Sequence, residues 1–297
     1  MTANIPTAAI YVDYQKAYDK VWHKGLIVKL NRLNISAGLL KLIISWLSDR
    51  YAYVVFGSSR SGTFPIHVGL PQGSSLSPYL FIVFHSDLVT CIGAHSSHVF
   101  TDDLNVLITP PISRSFKPML KFLDEEGTRV CGKIADYSEK WKQPINLSKT
   151  VVQIFHSQVQ NPVVYIRMKS HKLLEVKEFK YLGFTWINKM SLKPTIDKAL
   201  ENIQKTYCKL RWMKGGKALS KEVLRKCFFA YSFPYFAWLF PLYPFLLHTQ
   251  KELLLRKFRN GLRLIHRCPF ARASELKQIT NELSLEEYVK KNILRKE

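Results

Sequence analysis

The chain has 297 residues, 47% hydrophobic and 22% charged, with 13 glycines and 14 prolines. That composition excludes collagen-like, low-complexity and wholly disordered chains and allows one large core or two modest ones. Lys and Arg number 44 against 22 acids, a formal net charge of +22, which points to a polyanionic partner. The charge is uneven: residues 1–110 carry 8 basic and 6 acidic residues, while residues 111–297 carry 36 and 16. The five cysteines lie far apart with no CxxC pair, which argues against a disulfide framework or a structural zinc site and fits a reducing, intracellular compartment. His266 and Cys268 form only a lone pair of candidate ligands.

In chain order, Ala8–Asp13 reads as a buried strand with an acid at its end. Residues 24–49 carry apolar positions at helical spacing and predict one or two helices. Tyr51–Phe56 and Gly62–Val68 predict a strand pair around GSSRSG. Ser77-Pro78 predicts a cap and first turn for the helix that follows, and Val99–Ile108 predicts a hairpin with Asp102-Asp103 at its tip. An amphipathic helix is expected over 118–142, then strands at Val151–Phe155, Val163–Met168 and Phe179–Trp186. From about residue 192 the pattern is helical and basic; residues 189–297 hold 23 basic and 9 acidic residues.

Cys227–Leu247 is 21 residues without a charge, long enough in principle for a bilayer. Pro234, Pro241 and Pro244 break it repeatedly, and freed backbone groups are costly in lipid. The expectation is a buried helix and an aromatic turn, with no membrane contact and no signal peptide.

Asp13, Asp102 and Asp103 are the acids in distinctive settings. Clustered carboxylates repel and lose hydration, a cost that a divalent cation reverses, and Mg²⁺ favours a few carboxylates together with substrate phosphates. An Asp-Asp pair at a hairpin tip, taken alone, reads more readily as a surface turn, where Asp is favoured.

Five segments in order carry a more specific signal: YVDYQKAYDKVWHKGL, GLPQGSSLSPYLFIVFHSDL, FTDDLNVLI, Trp141 with NLSKT, and FKYLGFTW. They resemble motifs A to E of reverse transcriptases of non-LTR (LINE-type, jockey-like) retrotransposons, from about Pro6 to Pro194. The resemblance implies an α+β polymerase palm, an antiparallel sheet with packed helices, over 1–190 with partial fingers. A mainly helical, basic thumb over 191–297 would follow. It implies RNA-directed DNA synthesis: dNTPs joined to a DNA primer 3′-OH on an RNA template.

The same resemblance assigns roles. Asp13, Asp102 and Asp103 would hold two Mg²⁺, with Mn²⁺ as a substitute, aided by a carbonyl of Val12 or Tyr14. Tyr18 would exclude the ribose 2′-OH, which disfavours RNA synthesis on RNA. Gly69, Pro71, Gln72 and Gly73 would line the nucleotide pocket. Lys149 would protonate the leaving pyrophosphate, and Phe179, Tyr181, Leu182 and Gly183 would form the primer grip. Departures are Thr101 where Ala is usual, and Phe84-His85-Ser86 in place of a Tyr- and Asn-containing text. The fingers residues that contact the triphosphate, an endonuclease domain and a zinc knuckle are expected to be missing, as in an N-terminally truncated relative. The alternative is an inactive remnant that binds nucleic acid without chemistry.

Overall fold

The computed structural model describes residues 5–93, 95–215 and 220–293. It begins with β1 (Thr7–Val12), a single 3₁₀ turn at Tyr18–Lys20, and helices α1 (His23–Arg32) and α2 (Ala37–Leu47). Strands β2 (Arg50–Ala52) and β5 (Phe64–Ile66) pair around the smaller ribbon of β3 (Val55–Phe56) and β4 (Ser59–Arg60). Helices α3 (Ser77–His85) and α4 (Leu88–Ile92) lead into the hairpin of β6 (Ser96–Phe100) and β7 (Asp103–Ile108). The long α5 (Phe116–Lys140) is followed by β8 (Val151–Phe155), β9 (Arg167–Met168), β10 (His171–Lys172) and β11 (Leu174–Glu175). A second hairpin, β12 (Glu178–Tyr181) and β13 (Phe184–Ile187), completes the strands.

The principal sheet has the order β11-β8-β1-β7-β6. Its middle strand β1 is antiparallel to both neighbours, with Val12 opposite Leu104 and Tyr11 opposite Val151. Because β1 is central, Ala8, Ala9, Ile10, Tyr11 and Val12 are all buried, which is why its sequence is continuously apolar instead of alternating. Ile10, Val106 and Ile154 join the core with Leu123, Val130 and Ile134 of α5. On the other face Tyr11 donates to Gln153 Oε1 at 3.2 Å and stacks on Phe179, centroids 4.1 Å apart.

A buried cation ties three helices together. Lys29 of α1, 4% exposed, donates to Asp87 Oδ1 and the Phe84 carbonyl at 2.5 Å each and to the Tyr137 hydroxyl at 2.7 Å. Its ammonium lies 3.7 Å from the Trp141 ring centroid. Burial pushes its pKa down, opposed by the hydrogen bond and charge of Asp87.

The structure departs from the sequence expectations at Ser77, at Val163–Met168 and at Phe179–Trp186, where one expected strand is the β12–β13 hairpin turned by positive φ at Leu182 and Gly183. Ser77 does not cap α3: Leu76 holds the cap position and the Ser77 hydroxyl donates to the Pro71 carbonyl at 2.6 Å. The strand expected over Val163–Met168 is confined to Arg167–Met168. Val164 and Ile166 are buried, but the backbone amides of Tyr165 and Arg167 donate to Asp124 and Thr128 of α5, and not to a neighbouring strand.

Packing divides the chain into two units: the chain through Phe179 with Ile187–Met190, and Lys180–Trp186 with everything from Ser191 onward. The second is built from α6 (Lys193–Gly215), α7 (Lys221–Cys227), a π turn at Phe228–Ser232, α8 (Phe233–Ala237) and a 3₁₀ turn at Phe240–Phe245. Helices α9 (His248–His266), α10 (Leu276–Thr280) and α11 (Leu285–Ile293) complete it. The uncharged segment supplies its core: Phe228 and Phe236 pack on Phe258 of α9, with Tyr207 of α6 beside Phe228. Among the described residues, no helix is long and apolar enough to cross a membrane.

Candidate active site

The register of the sheet brings the acids together. Val12 pairs with Leu104 and Phe100 with Asp103, so the end of β1 and the two-residue turn Thr101-Asp102 lie at the same edge. Beyond Val12 the chain is stitched to the segment that precedes β8. The amide of Gln15 donates to the Pro144 carbonyl at 2.8 Å, and the amide of Asn146 donates to the Asp13 carbonyl at 2.7 Å. The Asp13 amide in turn donates to the Thr150 hydroxyl at 3.3 Å.

These links frame a cleft of about 630 Å³ lined by Asp13, Tyr14, Gln15, Lys16, Lys20, Asp102, Asn146 and Lys149. Asp13, Asp102 and Lys149 were singled out in the sequence; Lys16, Lys20 and Asn146 were not. Asp103 belongs to the same electrostatic group. Partial burial pushes its pKa up, and the charges of Asp102 and Asp13 push it further.

Such crowding of hard oxygen donors fits a divalent cation, which would relieve the repulsion. Asp13 and Asp102 are the residues that would hold it, with Asp103 adjacent. Among the described residues, no three His, Cys, Asp or Glu side chains are gathered as a ready-made ligand set. Two carboxylates would leave the other positions of an octahedral cation to water, backbone carbonyls or substrate oxygens.

The tip of the hairpin is strained. Thr101 has φ 52°, in the left-handed region that β-branched residues avoid. Its hydroxyl sits 2.7 Å from the Phe100 carbonyl and 3.0 Å from Asp102 Oδ1, within donating distance of each.

Tyr18 stacks on buried Phe81, with centroids 4.4 Å apart and planes 12° from parallel. Its phenol pKa is raised by burial and then by the Asp102 charge, though the residue does not line the acidic cleft. The loop Gly69–Gly73 is fastened to this segment: the amide of Gly69 donates to the Val21 carbonyl at 2.8 Å and that of Leu70 to the Tyr18 carbonyl at 2.9 Å. Gly69 has φ 85°, and a Cβ there would meet the Asp19 carbonyl oxygen at 2.7 Å, so only glycine fits. Gln72 donates to Asp19 Oδ1 at 2.9 Å. Gly69 and Gln72 line a second cleft, of about 470 Å³, with Asp19 and Arg50. Pro71 and Gly73 shape the loop but line neither cleft.

The expected primer-grip residues fall into two groups. Phe179 is half-buried against Tyr11 and acts as packing for the sheet. Tyr181, Leu182 and Gly183 belong to the second unit. There, positive φ at Leu182 (48°) and Gly183 (85°) makes the tight β12–β13 turn. A Cβ on Gly183 would lie 2.7 Å from the Trp238 ring, while Phe184 stacks on that indole at 5.2 Å.

The chain was compared with known proteins. A family model described as reverse transcriptase (RNA-dependent DNA polymerase) matches residues 4–186. The probable RNA-directed DNA polymerase from transposon BS of Drosophila melanogaster is 28% identical over 218 residues, covering 71% of this chain and 23% of that protein. The RNA-directed DNA polymerase from mobile element jockey of the same species is 27% identical over 209 residues, covering 66% of this chain and 21% of that protein. The chain thus spans less than a quarter of the length of these two relatives, 23% and 21%. A solved structure of apo telomerase from Candida tropicalis aligns with a TM-score of 0.45 at 13% identity, over 95% of this chain and 49% of that one.

Proposed function

The chain belongs to the reverse transcriptase family, and from that premise we propose that it is the catalytic palm of an RNA-directed DNA polymerase, followed by a basic helical thumb. The observation that carries this reading is the shared cleft of Asp13, Asp102 and Lys149. Its substrates are dNTPs, a DNA primer and an RNA template. The cations would be two Mg²⁺ ions, with Mn²⁺ as a substitute, which supply Lewis acidity at the reacting phosphate.

The residues of the chain then have separable tasks. Asp13 and Asp102 present carboxylate oxygens from adjacent strand ends on a rigid sheet, the kind of support that holds ligands in place. Tyr18, braced by Phe81, blocks the space a 2′-hydroxyl would need. Lys149 delivers a proton to the departing pyrophosphate oxygen. The excess of 23 basic over 9 acidic residues in 189–297 holds template and primer through their phosphates, so binding weakens as salt rises.

Primer extension on an RNA template with Mg²⁺ and dNTPs tests the reading, beside the double variant Asp102→Asn/Asp103→Asn. Extension that disappears in the variant, with salt-sensitive template binding retained, supports it. No extension by the native chain, with binding retained, overturns it in favour of a nucleic-acid-binding remnant.

A further inference from the structure

One row of α3 touches three parts of the site. Ser77, Phe81 and His85 recur every four residues, so they share one stripe of the helix, and all three are buried. The Ser77 hydroxyl donates to the Pro71 carbonyl of the Gly69–Gly73 loop at 2.6 Å. Phe81 stacks on Tyr18, centroids 4.4 Å apart. His85 lies against Phe81 at 4.4 Å and against Tyr14, which lines the acidic cleft, at 5.5 Å. Tyr18, Phe81 and His85 therefore form a continuous stack of rings.

His85 carries a cost that packing alone does not require. A carbonyl only accepts, so the Nδ1 that lies 3.2 Å from the Phe81 carbonyl bears the proton, and Nε2 is left with a lone pair. Burial keeps the ring neutral by pushing its pKa down to about 4. Among the described residues Nε2 has no partner, and a buried acceptor without one is destabilising. Leucine would fill the same space without that cost. What leucine lacks is the Nδ1–H bond, which fixes the plane of the imidazole and, through ring contact, that of Phe81.

We propose that His85 is a positioning residue for Tyr18: its bond to the Phe81 carbonyl sets the Phe81 ring, and that ring sets how closely Tyr18 approaches the sugar of the incoming nucleotide. Selection against a 2′-hydroxyl then depends on a buried side chain that lines neither cleft. So short a lever works because close-packed rings shift together and transmit strain. This inference rests on the reading of Tyr18 as the block to ribonucleotides and adds the group that aims it.

The test compares dCTP with CTP, which differ only in the 2′-hydroxyl. Two ratios are measured for each full-length variant: that of Kd in Ca²⁺, which needs no turnover, and that of kcat/KM in primer extension with Mg²⁺. His85→Leu is expected to lower both ratios roughly fivefold, the net size of one neutral hydrogen bond. Its melting temperature at pH 7 should equal or exceed that of the native chain, because the orphan lone pair is gone. A side chain that merely fills the core would behave the other way, losing stability and leaving the ratios alone. His85→Asn, whose amide nitrogen takes the place of Nδ1, should recover part of the selectivity. Tyr18→Ala/His85→Leu should discriminate no worse than Tyr18→Ala, the non-additivity expected of groups that act through one another. Unchanged ratios in His85→Leu, beside a loss in Tyr18→Ala, overturn the inference and leave Tyr18 as the block. Additive losses in the double variant also overturn it. Ratios that ignore Tyr18→Ala remove the block and this inference together, as does a native chain that binds neither nucleotide.

Discussion

The backbone amide of Asn146 donates to the carbonyl of Asp13 at 2.7 Å, so the turn that carries Lys149 hangs directly from the end of β1. That link, with the bond from the Asp13 amide to the Thr150 hydroxyl, holds Lys149 beside the acids. Lys149→Ala is expected to lower kcat about 10²-fold, the lower end of general-acid contributions, with KM for dNTP little changed. Lys149→Arg keeps the charge but donates its proton poorly, so it should recover only part of the rate. Single-turnover extension measures both, and equal rates for Ala and native chains would remove Lys149 from the chemistry.

Tyr18 is stacked on Phe81, and burial and the charge of Asp102 raise its phenol pKa. Tyr18→Ala should admit ribonucleotides, reducing dNTP-over-rNTP discrimination at least roughly tenfold through loss of a steric block. Tyr18→Phe keeps the ring and should preserve discrimination. The ratio of kcat/KM for the two substrates is the measurement.

At Gly69, an added Cβ meets the Asp19 backbone in a conformation that alanine resists. Gly69→Ala should cost about 1–3 kcal/mol, from positive-φ strain and the backbone clash together. The loop that holds Gln72 on Asp19 should loosen with it. Chemical denaturation reads the first effect, and a raised KM for dNTP reads the second.

His85 is buried between Phe81, Phe84 and Tyr14, with Nδ1 on the Phe81 carbonyl at 3.2 Å and Nε2 without a partner among the described residues. Desolvation drives its pKa down to about 4, only partly offset by that backbone hydrogen bond. Its folded-state pKa lies below the unfolded one. No penalty exists above the ordinary imidazole range; below it the unfolded chain gains a proton that the folded chain refuses. Stability should fall by about 2 kcal/mol between pH 7 and 5, with the loss levelling off near pH 4. His85→Leu should flatten that slope in urea titrations at the two pH values.

Lys29 shows how deeply a charge can be integrated. Lys29→Met removes the partner of Asp87, whose side chain is 39% exposed and keeps some water. A cost of about 2–3 kcal/mol is expected, below that of breaking a fully buried pair. Calorimetry of the purified variant provides the check.

The acidic strand end and the Asp-Asp hairpin were legible in the sequence because each is encoded locally, by an apolar run ending in a charge and by two flanks around a turn. Val151–Phe155 was read with its bounds intact for the same reason. What escaped was whatever depends on distant backbone. Lys149 was reached only through the family resemblance, because it joins the cleft through hydrogen bonds between residues 13–15 and 144–150 that no local pattern announces. Lys16 and Lys20 looked like two more of 44 basic residues until the turn after Asp13 set them beside the acids. The Val163–Met168 run misled because the amides of Tyr165 and Arg167 bond to side chains of α5, so buried apolar residues there need no strand partner. Ser77 misled because its hydroxyl serves the Pro71 carbonyl.

The aromatic core of the second unit has a consequence for the chain's life before it is folded. Until α9 arrives to cover Phe228 and Phe236, the nascent chain displays 21 uncharged residues, as many as a bilayer-spanning helix needs. Pro234 opens α8 directly after the π turn, while Pro241 and Pro244 lie in the 3₁₀ turn Phe240–Phe245, where the α-helical part of the run has ended. The same prolines that shape the finished core thus keep the unfinished segment from forming one uninterrupted apolar helix of 21 residues.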